Sequence, residues 1–376
     1  MKLRRRMCWC PGLCVALAMA SSGAAEQQPA TDVRILTKPV HGMVATGGSL
    51  EIRITAEKKG APLAGETLSL RQEVEGQKSA EDAALKLDKD GCAVYGFATP
   101  ADAAPGVRSL VVTHAGSGAS HTMLVDVVDA ATYQRFEQAA RQVKLPLPAH
   151  LLFLGDSLTD NLRGRNYVDK IAFWLQSIHG QQVTVKNAGV GGDFTGRVWD
   201  RLNGNPKVHR LEMYDKLLEP VPNKIFLLLG ANDCKVSSES GYTKPCVSFE
   251  NVDTYYHKII ERLRRDTKAD ITLISAPSFV AEIQKAAAEK MTAQNKPHNL
   301  FGKPEAVERF NAVVRKVADD VKCDWIDLYE PTRGYPNKPS LFMPAPDGVH
   351  LNDNGNRLVA LKILEHLAAL SKPPEK

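Results

Sequence analysis

The chain has 376 residues, 43% of them hydrophobic and 24% charged, a globular composition that excludes collagen-like, disordered and coiled-coil chains. Its formal charge of +5 overstates its basicity, because Lys2, Arg4, Arg5 and Arg6 all lie in the first 25 residues, which hold no acid. The rest of the chain is close to neutral and lacks the concentrated basic face of a nucleic-acid binder, so no nucleic-acid partner is expected.

Residues 1–25 read as a secretory signal. A basic start leads into the short apolar run Leu13-Cys14-Val15-Ala16-Leu17-Ala18-Met19-Ala20, then into small residues up to Ala25. The run is shorter than the roughly 20 apolar residues that span a bilayer, and no other stretch is long and apolar enough, so no transmembrane segment is expected. Export to the periplasm or the extracellular medium follows. Cys14 could carry a lipid, although Leu13 is bulky where a small residue is expected, and cleavage versus lipidation stays open. Of seven cysteines, Cys92, Cys234, Cys246 and Cys323 lie beyond the signal. In an oxidising compartment, Cys234 and Cys246 are the expected pair because they bracket one loop; closing it is worth about 3 kcal/mol in the chain-entropy model. Two free thiols are the alternative. Zinc spacing of the CxxC kind is absent, and neither a metal nor a cofactor is expected.

Residues 30–129 carry a period of two. Leu50, Ile52 and Ile54 alternate with Glu51, Arg53 and Thr55, and Leu68 and Leu70 alternate with Thr67, Ser69 and Arg71. Met123, Val125 and Val127 repeat the arrangement. Turn signals at Gly47-Gly48, Lys59-Gly60, Asp90-Gly91 and Pro105-Gly106 separate the runs. The pattern predicts an all-β, antiparallel sandwich. Its turn spacing resembles that of bacterial immunoglobulin-like modules. Residues 130–149 form the linker, helical over 130–141 and extended over 144–149.

Residues 150–372 alternate strand with helix. Apolar strands are predicted at 151–154, 183–185, 225–229, 271–275 and 325–328. Val252, Tyr255, Tyr256, Ile259, Ile260 and Leu263 form one helical stripe, and 356–370 predicts a closing helix. The fold class is therefore α/β, with five parallel strands covered on both faces and functional residues at their carboxyl ends.

Three motifs directly follow the first three strands, Gly155-Asp156-Ser157-Leu158, Asn187-Ala188-Gly189-Val190-Gly191-Gly192-Asp193 and Gly230-Ala231-Asn232-Asp233, and a fourth, Asp347-Gly348-Val349-His350, lies just before the last helix. In this order they resemble the four blocks of the SGNH (GDSL-type) hydrolases over residues 150–370. The resemblance implies a flavodoxin-like three-layer αβα hydrolase domain. It implies a Ser157–His350–Asp347 triad and an oxyanion hole of the Ser157 and Gly192 backbone N–H groups and the Asn232 amide. The chemistry agrees with the residue types, since ester cleavage needs a nucleophile, a base, an orienting carboxylate and donors for the oxyanion. Asp347 and His350 are three apart and can share one face of a turn.

Other readings fit less well. The Gly189–Gly192 segment fails the G-x-G-x-x-G phosphate-loop pattern at Phe194. Two-metal phosphoesterases need histidine pairs that the chain lacks, and Thr159 stands where an α/β-hydrolase elbow needs its second glycine. The expected activity is that of an exported serine esterase on short, acetyl-type esters, with an O-acetylated glycan as first-choice substrate. A lysophospholipid or lipid ester is second, and an inactive carbohydrate-binding or adhesion protein is the non-enzyme alternative. Residues 279–301 form a long insertion after the fourth strand, with a helix expected over 281–291 and irregular chain over 295–304. It could be a pocket wall or a plain surface excursion.

Overall fold

The computed structural model describes residues 32–74, 77–78 and 82–371; the expected secretory signal lies outside the described residues. The amino-terminal part is β-rich, as the period of two requires. One sheet holds Val33–Lys38, Ser49–Lys58, Ala61–Pro62 and Cys92–Ala98. The other holds His41–Ala45, Thr67–Val74, Gln77–Lys78, Ala83–Lys86, Gly106–His114 and Ala119–Val128. Ile52, Ile54, Leu68, Leu70, Met123, Val125 and Val127 point into one shared core, while Glu51 and Arg53 face solvent, because successive strand side chains alternate between faces. One pairing departs from the all-antiparallel expectation: His41–Ala45 runs parallel to Ala119–Val128, with Leu124 opposite His41. The chain leaves the first sheet after Lys38 and enters the second at His41, so two residues make the crossing.

Helix α1 (Ala130–Gln142) follows, its N-terminus capped by the Asp129 side chain accepting from the Thr132 N–H. The strands β1 (Ala149–Gly155), β2 (Val183–Gly189), β3 (Lys224–Leu228), β4 (Asp270–Ile274) and β5 (Asp324–Ile326) then build one sheet in the order β2-β1-β3-β4-β5. All its pairings are parallel. Leu151, Leu152, Phe153 and Leu154 are all buried, as expected of a strand covered on both faces. The helices are α2 (Ser157–Asp160), α3 (Tyr167–His179), α4 (Thr195–Leu202), α5 (Phe249–Thr267), α6 (Ala281–Ala293), α7 (Pro304–Val321), α8 (Tyr329–Arg333) and α9 (Asp353–Leu370). Helices α1, α3 and α9 pack together, and α4 and α7 each pack on α5. The predicted stripe of α5 buries Val252, Tyr256, Ile259, Ile260 and Leu263.

The β-rich part is not a loose appendage. Met43 and Val128 belong to the same core as Phe136, Trp174 and the parallel sheet, and the Trp174 indole N–H donates to Met43 Sδ at 3.3 Å. Asp126, fully buried, pairs with Lys170 at 2.8 Å and with Arg357 Nε at 3.0 Å. Burial alone would raise the Asp126 carboxyl, but the two cations hold it well below the usual carboxylate range.

No disulfide forms among the described residues, contrary to the expected Cys234–Cys246 bridge. Cys234 is buried and its thiol donates to the Ala306 carbonyl at 3.5 Å, whereas Cys246 is exposed. Backbone bonds close the loop instead, from Cys246 N–H to Lys235 O at 2.9 Å and from Val247 N–H to Asp233 O at 3.2 Å. Sequence proximity placed the two backbones together without aiming the side chains at each other. The insertion also departs from expectation in part. Helix α6 forms, but the segment after it is tied down: Asn299–Leu300 pairs antiparallel with Val236–Ser237.

Candidate active site

The carboxyl ends of β1, β2 and β3 meet where the strand order reverses, the position at which open α/β sheets bind ligands. Ser157 is the first residue of α2. Its N–H therefore lies outside the helical hydrogen-bond ladder, and the Asp156 side chain caps the helix by accepting from Leu158 N–H at 2.9 Å. The turn is tight enough to require glycine. A Cβ on Gly155 would stand 2.7 Å from the Leu228 carbonyl oxygen, and one on Gly189 would stand 2.8 Å from the Asp160 nitrogen.

His350 Nε2 lies 2.9 Å from Ser157 Oγ, and its Nδ1 lies 2.6 Å from Asp347 Oδ2. The other carboxylate oxygen, Asp347 Oδ1, accepts the backbone N–H groups of Val349 and His350 at 2.8 and 2.7 Å. These bonds fix the carboxylate and place the imidazole between acid and hydroxyl. Burial pulls the His350 pKa down, but its hydrogen bond to Asp347 and the charges of Asp347 and Asp156 outweigh this and raise it above the ordinary value. Burial raises Asp347, and the bonds from His350 and its neighbours then carry it below the usual range.

Gly192 has a φ of +82°, which favours glycine, and Asn232 is almost fully buried. The Asn232 amide donates one hydrogen to the Asp193 carbonyl at 3.0 Å, leaving its second N–H available. Asp233 Oδ1 accepts both the N–H and the hydroxyl of Thr195, at 3.0 and 2.7 Å. The second and third motifs are thereby stitched together. Asp156 Oδ2, Asp233 Oδ2 and the Tyr256 hydroxyl are buried without a hydrogen-bond partner among the described residues. Burial, with a contribution from Asp233, pushes the Asp156 carboxyl up to about 7, and burial pushes Asp233 up to about 6.

Ser157, His350 and Asp347 thus meet at one place, and the Asn232 amide bonds to Asp193, the residue after Gly192. Sequence reasoning missed two supports. Asp160, three residues past Ser157 and therefore on the same helical face, accepts the Gly191 N–H at 2.9 Å; that spacing could have revealed it. Gln284 on α6 donates to the Asp347 carbonyl and accepts from the Phe301 N–H at 3.3 Å; nothing in the sequence pointed to it. The insertion also donates the Val280 N–H to Gly348 O at 3.0 Å. Its start therefore braces the Asp347–Gly348 turn.

The model of the GDSL-like lipase/acylhydrolase family matches residues 153–358, more than half of the chain. The chain belongs to that family. Among solved structures it is similar to a lipase/acylhydrolase from Enterococcus faecalis, with 19% identity over 61% of this chain and 100% of the other, at a TM-score of 0.45. It is also similar to a GDSL-like lipase from Bacteroides thetaiotaomicron, with 16% identity over 64% of this chain and 99% of the other, at a TM-score of 0.39. No curated protein matches the chain. As a GDSL-family member it is an ester-cleaving hydrolase. Among its described residues no group of His, Cys, Asp and Glu is arranged to hold a metal ion, and no helix is long and apolar enough to cross a membrane.

Proposed function

We propose that the chain is an exported serine esterase removing short acyl groups, acetyl foremost, from a carbohydrate. The observation that carries the mechanism is the unbroken chain Asp347–His350–Ser157, with contacts of 2.6 and 2.9 Å. His350 Nε2 takes the Ser157 proton as Oγ attacks the ester carbonyl. The resulting oxyanion accepts hydrogen bonds from the Ser157 and Gly192 N–H groups and the free N–H of Asn232. Collapse of the tetrahedral intermediate breaks the acyl–oxygen bond, and imidazolium returns the proton to the departing alcohol. Water then repeats the sequence on the acyl-serine, releasing the acid and Ser157. Asp347 orients the imidazole and stabilises its cation without taking the proton.

The basic, apolar, small-residue start at 1–25 supports export, and the β-rich region at 33–128 accords with a glycan-facing role. Ser157→Ala should reduce hydrolysis of a chromogenic acetate ester to background with an unchanged circular dichroism spectrum. Acetate release from O-acetylated glycans should exceed release of longer acyl chains. Retained turnover in Ser157→Ala would overturn the mechanism, and a preference for long acyl chains would favour a lipid ester.

A further inference from the structure

Two arginines flank the loop between β2 and α4 without being consumed by it. Arg197 Nη1 donates to the Gly192 carbonyl at 2.9 Å, and its guanidinium lies 4.7 Å from the centroid of the Phe194 ring. Arg210 forks onto Asp160, at 2.5 and 3.3 Å. Asp160 already serves Arg163 at 2.8 Å, so one carboxylate answers two guanidiniums. The carboxylate nearest Arg197 is Asp193, 4.0 Å away and held by both arms of Arg201. Glu212 also faces Arg210, so Arg163, Arg197, Arg201 and Arg210 meet Asp160, Asp193 and Glu212, which leaves one positive charge in excess.

Its exposure separates it from a structural strut. The Arg201 side chain is fully buried, as a strut should be, whereas those of Arg197 and Arg210 are 32% and 41% exposed. Arg210 also has a left-handed backbone at φ +52°, a conformation uncommon away from glycine and one that clusters at functional sites. The patch adjoins the nucleophile: a Cβ on Gly191 would lie 4.0 Å from Ser157 Cβ and 3.4 Å from Asp160 Oδ2.

We propose that Arg197 and Arg210 recognise a carboxylate carried by the substrate beside its scissile ester, as an acylated uronate sugar would present it. A guanidinium matches a carboxylate with two parallel hydrogen bonds; Arg197 makes its one hydrogen bond here through Nη1, while Arg210 holds Asp160 through both Nη atoms and would share itself between Asp160 and the incoming carboxylate. This inference rests on the ester-hydrolase reading of Ser157 and selects among its substrates.

The test compares acetate esters of a methyl uronoside with those of its neutral methyl-ester twin. The acid should be hydrolysed with kcat/KM on the order of ten-fold higher, the worth of charge-assisted bonds at a half-exposed site. Added salt should erode the preference. Arg197→Gln and Arg210→Gln should move the ratio toward one even where both rates fall, since a general loss cancels in the ratio. Equal rates on the twins in the unaltered enzyme, which needs no variant to fold, would overturn the proposal; so would a ratio that both substitutions leave intact. Failure of the hydrolase reading looks different, as no hydrolysis of either twin or of a chromogenic acetate. Calorimetric titration of Ser157→Ala with a uronate oligosaccharide and its methyl-esterified form then decides independently: tighter binding of the acid supports recognition, and equal binding refutes it.

Discussion

Replacing Asp156 by asparagine keeps the cap of α2, because the two residues cap helices about equally well, and removes a buried acid. The Asp156 carboxyl titrates near 7 in the folded chain against an ordinary value of 3.8. A folded-state pKa above the unfolded one means that the native protein holds the proton longer. Stability therefore falls as pH rises from about 4 to about 7, and levels off above that range. Each tenfold gain in proton affinity on folding corresponds to about 1.36 kcal/mol. The full cost is thus about 4 kcal/mol, of which more than half accrues between pH 5 and pH 8. Asp156→Asn should escape that loss. Urea unfolding of both proteins at pH 5 and pH 8 should show the substitution gaining about that much stability, relative to the parent, at the higher pH. The acid limb of kcat/KM should also move to lower pH, because Asp156 is one of the charges raising His350. Parallel stability curves would mean that Asp156 does not change protonation in this window, and the buried-acid argument would fall.

Asn232→Ala should lower kcat by about 10²–10³-fold with little change in KM; a loss confined to KM would make the residue a ground-state binder. Asp347→Asn should cost on the order of 10²–10⁴ in kcat. It should also shift the pH midpoint of kcat/KM downward from its wild-type position above 6.5, as the partner that raises His350 disappears. An unmoved midpoint would place the titration elsewhere. Gln284→Ala leaves the Phe301 N–H and the Asp347 carbonyl short of a partner, which should cost about 1–3 kcal/mol in chemical denaturation. It should lower kcat more than KM if the α6 brace positions the acid.

The parallel sheet was legible because its strands are short apolar runs, such as Leu151 to Leu154, which Gly155 ends. The site was legible because three motifs sit at strand ends and the fourth sits just before α9, so that the fold brings together residues as distant as Ser157 and His350. Side-chain direction was not legible. Cys234 faces α7 and Cys246 faces solvent, although the chain returns to within a backbone hydrogen bond between them. The parallel entry of His41–Ala45 depends on a change of sheet that strand periodicity does not encode. Gln284 acts through a contact spanning more than sixty residues, with no spacing rule to announce it. The electrostatic setting of His350 was hidden for the same reason, since the Asp156 charge that helps to lift it comes from a distant strand end.

The buried meeting of Asp126 with Lys170 and Arg357 has a bearing on how the molecule comes apart. Removing the β-rich region would strip two cations of their shared counter-ion and leave the Trp174 indole without Met43, a deficit that no solvent-exposed linker imposes. Breaking a buried pair by losing one member costs about 3–5 kcal/mol, a large share of the roughly 5–15 kcal/mol that holds a typical domain folded. The hydrolase half is thus poorly suited to life as an excised module, and calorimetry of the whole chain should register a single cooperative melting in which sandwich and catalytic sheet are lost together.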